Sequence, residues 1–439
     1  MSPANGRAHH VTRRGFLGAF GVAALAGCSA SVAAADRPAP VRPRRGEYTG
    51  PAVTLQFWNP FTGGDGPAMA EIVEAFNAAH DNIRVVMTSL VADDLYAKVM
   101  PAVGAGEGPD VAIMHLDQLA TFAARGTIAP LEELTDGLGL DGTDFIPAVW
   151  DSGVYEGHRY GIPLDVFTMA QYWATDTFGA AGLEGPVRDR GHFDAAASSL
   201  RNAGVTHPFW VTPSWQLFVT LLAQFGGSLY DEAATAATMG SDAGVAALEW
   251  MTSLIEAGVS PSGATDPRLP FKNGGAAMLA DLPAAIPDLQ LTAPDLAWDV
   301  APFPQIGTRP GTFANSHNFV LTGQSQADDD VAHAAQTFVE WTSRNSEPWI
   351  ASGNTPARAT VRAGEAFAAA PQAALAKPEV FSSAAFLPQI PGSREIAANS
   401  YERAVSEVVL SGADAAEALD FAQHTAQEQL EEMHELLDG

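Results

Sequence analysis

Between Val53 and Ala124 short apolar runs alternate with segments of helical spacing, and that alternation leaves few architectures open. The run from Val53 to Trp58 alternates until it ends in aromatics and reads as a strand. Asn59, Pro60 and the Gly63-Gly64-Asp65-Gly66 cluster make a loop. Pro67 opens a helix in which Met69, Ile72, Val73 and Phe76 stand at i, i+3, i+4 and i+7. Strands over 83–88 and 110–114 and helices over 93–103 and 117–124 continue the pattern, and Gly126 closes the last helix. Strands and helices at this spacing predict a parallel α/β sheet. Ligands of such sheets sit outside the carboxyl ends of the strands. Those ends are Trp58-Asn59, Ser89-Leu90 and His115 to Asp117. Gly104, Gly106 and Gly108 precede their strand, the wrong side for a dinucleotide loop, and read as a turn.

A hairpin around Glu156-Gly157 follows, and a strand over 166–173 suggests that the chain leaves one sheet for a second. Helices are expected at 192–202, 213–225 and 241–257, and strands at 276–280 and 298–301. Pro302-Phe303-Pro304 looks like a second crossing, after which a strand at 318–321 and a helix at 331–341 return to the first sheet. The last helix carries an apolar seam of Leu419, Ala422, Ala426, Leu430, Met433 and Leu437.

Ahead of this body stands an export signal. Arg13-Arg14 precede Phe16-Leu17 and a short apolar run, and the segment closes on Leu25-Ala26-Gly27-Cys28. The paired arginines have the form read by the twin-arginine route. The ending resembles a lipobox, so Cys28, the only cysteine, is the expected lipidation site and the protein is expected on the outer face of a cell membrane. Residues 28–50, with Pro38, Pro40, Pro43 and four arginines, read as a tether. Seven of the 23 bases and two of the 51 acids precede Pro51, so the body holds 16 bases against 49 acids. That balance excludes a nucleic-acid binder, whose affinity rests on Lys and Arg meeting phosphates. The 11 histidines are scattered without ligand spacing, so neither a metal site nor a cofactor is read.

The strand ending in Trp58-Asn59, the run Gly106-Glu107-Gly108-Pro109-Asp110-Val111 and the run Tyr160-Gly161-Ile162-Pro163-Leu164-Asp165 belong to an ordered set. Gln224-Phe225-Gly226-Gly227, Gly275-Ala276-Ala277-Met278, Ala301-Pro302-Phe303-Pro304, Ser316-His317 and the run from Ser352 to Arg358 complete it. The set resembles the extracellular solute-binding proteins of carbohydrate ABC importers, the maltose-binding-protein-like group, across 51–439. The resemblance implies an α/β, two-lobe periplasmic-binding-protein-like (type II) fold with hinge crossings. It places 1–27 as signal peptide, 51–163 and 302–354 in the N-terminal lobe, and 164–301 and 355–439 in the C-terminal lobe. It also implies a monomer that is not an enzyme, closes on a sugar in the interlobe cleft and delivers it to a membrane permease.

A sugar site needs flat aromatics for CH faces and carboxylates or amides for hydroxyls. Trp58 and Asn59, with Asp65 in the following loop, are the first-lobe candidates, joined by Asp117 and by Asp165 at a crossing. Each has another use open to it: Trp58 in the core, Asp117 as a helix cap, Asp165 in a turn. Trp215 is the leading second-lobe stacker, with Trp210 and Tyr230 in reserve; His317 and Arg358 stand near the later crossings. Arg358 keeps a glycerol phosphodiester open as ligand. Many sugar-binding relatives carry Trp or Tyr where this chain has Asp281-Leu282-Pro283, which leaves the sugar's identity open. A glycoside-acting enzyme is the rival class and would need two carboxylates across the cleft, a pair that Asp117 and Asp165 could imitate.

Overall fold

The computed structural model describes residues 38–44, 46–140 and 142–438; the export signal, Cys28 and residues 29–37 lie outside them. Three sheets carry the fold. The first has five strands in the order Ile83–Ser89, Val53–Asn59, Val111–His115, His317–Leu321, Ile162–Pro163. The first three pair in parallel and His317–Leu321 runs against them, with His317 opposite His115. Helix Gly66–Ala79 buries Met69, Ile72, Val73 and Phe76, the face its spacing predicts. A 3₁₀ turn, Leu116–Gln118, intervenes before the helix Leu119–Ala124, so Asp117 lies in a turn at the strand's end.

The second sheet is antiparallel, with Ala170–Ala174 between Trp298–Pro302 and Met278–Asp281. Around it lies a separate core that includes Phe193, Phe218, Trp250, Met251 and Tyr401. Leu419, Ala422, Ala426 and Leu430 of the final helix enter that core, as their spacing predicts, while the side chain of Leu437 lies outside the described residues. The third sheet joins the other two. Its strands run Thr355–Pro356, Asp165–Thr168, Thr312–Asn315, Ala384–Ala385.

The expected strand 166–173 is therefore two strands, broken at Met169 and entering different sheets. The second crossing falls at Asn315 to His317, not at Pro302 to Pro304. The run after Pro304 instead packs on helix Trp215–Phe225, held by Gln224.

The expected tether departs most. Over 38–44 and 46–50 it is docked, with Val41 and Tyr48 in the first core. The Val41 N–H donates to Pro130 O (2.8 Å), and Gln336 bridges Arg44 N and Arg42 O (both 2.9 Å). Asn82 Nδ2 adds a bond to Tyr48 O (3.0 Å), and because most of these contacts are made by the segment's backbone, no apolar periodicity announced them. Arg44 pairs with Asp329.

Candidate functional site

The carboxyl ends of the first sheet and the linking sheet meet at one place, and Asp165 lies beneath it. Its side chain is fully buried. Oδ1 accepts the His317 backbone N–H (2.9 Å), and Oδ2 accepts from His317 Nδ1 and the Trp349 indole N–H (both 2.8 Å). Its main-chain oxygen accepts from Ser316 Oγ (2.7 Å). Asp165 thus ties two crossings to the turn holding Trp349, and its oxygens are already engaged. Burial opposes a charge on His317, but the Asp165 carboxylate prevails and raises the imidazole's pKa. Around the His317 ring stand Phe61 and Phe167, each 5.0 Å centroid to centroid, and His115 at 4.8 Å. Burial, with His317 and Arg394 nearby, pushes His115 well below the ordinary histidine range. Its Nδ1 meets Tyr96 OH at 2.6 Å.

Next to this buried cluster opens a cavity of about 180 Å³. Tyr96, His115, Asp117 and Gln118 line it from the first sheet's side, and Trp215, Phe313, Asn315 and Arg394 from the other. Asp117 arrives there because the 3₁₀ turn directly follows the strand Val111–His115. Burial lifts its carboxyl to about 6, against the opposing pull of Arg394 and the hydrogen bond from Asn315 Nδ2 to Oδ2 (3.0 Å). Gln118 is 1 % exposed and its Oε1 has no hydrogen-bond partner in the described structure. Trp215 is the first residue of its helix, held at the cavity mouth by Ser214, whose Oγ accepts the Leu217 N–H (3.2 Å). Arg394 lies 5.5 Å over the Trp215 ring and pairs with Glu402. Phe313 meets that ring edge-on at 5.0 Å. The cavity therefore offers aromatic surface, the carboxylates of Asp93 and Asp117, amides and one guanidinium, which together suit a polyhydroxylated ring.

Of the sequence-predicted residues, the structure brings Asp117 and Trp215 to the cavity wall and sets His317 and Asp165 behind it. Asp65 is half-buried, its Oδ1 accepting the Gly63 N–H (3.1 Å). Burial raises its pKa, while the nearby His317 opposes the rise. Asn59 is fully buried, its Oδ1 taking bonds from Phe61 N and Ser89 Oγ. Trp58 packs half-buried against the core around Val99 and Met114 and is not among the cavity's lining residues. Arg358 is also set apart from that lining: its guanidinium meets Asp144 at 2.6 Å and Ser343 Oγ at 3.1 Å. Of the reserves, Trp210 keeps its indole N–H buried with no hydrogen-bond partner among the described residues, and Tyr230 belongs to the second core. Because Asp165 is buried among its partners, Asp117 and Asp165 do not face one another across a gap as a glycosidase pair would.

The sequence reading missed Gln118, Asn315 and Arg394. Asn315 carried a signal, since it immediately precedes the quoted Ser316-His317. Arg394 carried none: the chain returns to the cavity only because Ser393 Oγ bonds Asp117 O (2.8 Å) and Gly392 N bonds Thr121 Oγ1 (2.9 Å).

Residues 71–375 match the family of bacterial extracellular solute-binding proteins. A Brucella abortus protein named as a binding protein is 24% identical over 76% of this chain and 82% of its own length. Among solved structures, the GacH receptor of Streptomyces glaucescens, studied unliganded and with acarbose, superposes with TM-score 0.75 at 23% identity, covering 88% of this chain and 99% of the receptor. Maltose-bound MalE3 of T. maritima gives TM-score 0.74 at 20% identity, with 87% and 100% covered. At these identities the structural likeness speaks to the two-lobe fold.

Proposed function

The chain belongs to the bacterial extracellular solute-binding protein family, and from that premise we propose that it captures a carbohydrate for an ABC importer. The carbohydrate is an oligosaccharide, held between a lobe of 51–163 with 317–354 and a lobe of 164–315 with 355–439, the second boundary set at the observed crossing. The observation that carries this reading is the cavity lined from both sides, with Trp215 and Phe313 as apolar surface and Asp117, Gln118, Asn315 and Arg394 as hydrogen-bonding groups. At about 180 Å³ it falls below the roughly 300–1,000 Å³ usual for small-molecule pockets, so it encloses one end of a longer sugar. The acarbose and maltose complexes of the structural relatives support the ligand class.

The protein binds and releases its ligand without chemistry, works as a monomer and hands the ligand to a membrane permease. Cys28, diacylated after export, holds it at the outer face of the cell membrane. Micromolar capture corresponds to about 8 kcal/mol, divided between contacts and closure.

A thermal-shift screen over mono-, di- and trisaccharides and glycerol phosphates tests the reading, because a ligand specific to the folded state raises the melting temperature. An oligosaccharide that shifts the transition and is recovered intact supports it. A shift confined to glycerol phosphates, or hydrolysis of the sugar, overturns it.

A further inference from the structure

A groove of about 630 Å³ lies elsewhere, on the second sheet's side. Two motifs singled out in the sequence meet there, Gln224-Phe225-Gly226-Gly227 and Ala301-Pro302-Phe303-Pro304. Two buried glutamines fix its walls. Gln171 Nε2 donates to Val187 O (2.6 Å) and Pro302 O (2.8 Å), and its Oε1 accepts Val187 N (3.1 Å). Gln224 Nε2 donates to Pro304 O and Gly311 O (both 3.0 Å), and its Oε1 accepts Ile306 N (2.6 Å) and Gly307 N (3.2 Å). The loops so held present Arg188 and Arg309 at the rim, and Lys377 completes it.

All three cations are exposed, and Glu379 is the only acidic lining residue. The neighbouring Asp189 is engaged as a helix cap, its Oδ1 accepting the His192 N–H (2.9 Å). In a body of 16 bases and 49 acids, a groove with three cations and one acid departs from the molecule's own charge. The floor is apolar, with Val187, Phe303 and Val380.

We propose that this groove is a docking site for an extended acidic peptide segment of a protein partner. The pre-set walls keep the ordering cost of binding low. Apolar side chains of the segment meet the floor and its carboxylates reach the rim cations, the pattern by which basic clusters read acidic motifs. At physiological ionic strength fields fade over about 8 Å, so the rim outweighs the distant negative charge of the molecule. This site is separate from the sugar cavity and does not depend on the sugar reading.

Fluorescence anisotropy of the full chain with a short labelled Glu-Pro-Leu repeat peptide, at physiological salt, tests the proposal. The acidic peptide is expected to bind, its Lys-Pro-Leu counterpart not to bind, and R188E/R309E/K377E to weaken binding about tenfold or more with the melting temperature unchanged. The double variant R188E/K377E, which keeps the Arg309 bond to Ala223 O, is expected to show most of that loss. Absence of binding, equal binding of the lysine peptide, or no loss on charge reversal would overturn it. So would flotation with anionic phosphatidylserine vesicles in the absence of peptide binding, which would assign the groove to a lipid surface.

Discussion

With one oxygen of Asp165 on the His317 backbone N–H and the other on the His317 imidazole and Trp349 indole, Asp165→Asn sets an amide NH₂ against N–H donors inside the core. Removing one partner of such a buried network is strongly destabilising, and a loss of about 3 kcal/mol is expected in urea unfolding. The same pair sets a pH dependence. The folded His317 pKa lies above 6.5, so the stability it confers is complete below pH 6.5 and is lost as pH rises through the folded value. His317→Gln is expected to flatten the stability profile above pH 6.5, and melting temperatures taken across that range check it. Asp117 works in another window: with a folded value near 6 against 3.8 unfolded, it lowers stability as pH climbs from 3.8 to about 6, a fall that Asp117→Asn removes. Asp117 and Trp215 were legible in the sequence because each stands at an element's end, where local spacing fixes position. Arg394 and Gln118 were not, since what brings them to the cavity is a tertiary return of the chain and the burial of an amide.

At the scale of elements, local periodicity carried most of the reading. Helix Gly66–Ala79 and the seam from Leu419 to Leu430 bury the faces their spacing announces. What periodicity could not show was where a strand changes sheets. Met169 breaks a continuous apolar run because Asp165–Thr168 pairs with Thr312–Asn315 and Ala170–Ala174 with Trp298–Pro302. The strap over 38–44 and 46–50 is the other blind spot: prolines and arginines suggested a free tether, while Val41 at 0 % exposure anchors it. Val41→Ala is expected to cost about 2 kcal/mol from lost burial and the cavity left behind. Denaturant unfolding measures that cost, and hydrogen exchange at the Val41 amide reports the strap directly. A free tether would show neither loss nor protection.

For the molecule as a whole, the segment from Pro283 to Pro287 lies against two glycines of the opposite side. A Cβ at Gly353 would fall 2.3 Å from Pro283 O, at a backbone φ of +85°, and one at Gly64 would fall 2.9 Å from Pro287. Leu282, beside this seam, lines the cavity. On the proposed closure of the lobes over the sugar, a methyl group at Gly353 holds this seam apart and takes population from the closed state. Gly353→Ala is expected to enlarge the radius of gyration in small-angle scattering and to weaken sugar binding about tenfold, with a smaller effect from Gly64→Ala.

The most direct measurement is isothermal titration of the intact chain and of its Trp215→Ala variant with glucose, maltose, maltotriose and acarbose. Micromolar binding of at least one oligosaccharide is expected, weakened tenfold or more in the variant while its melting temperature holds. Binding of none of the four, or equal affinity with and without the indole, would contradict the proposed sugar capture.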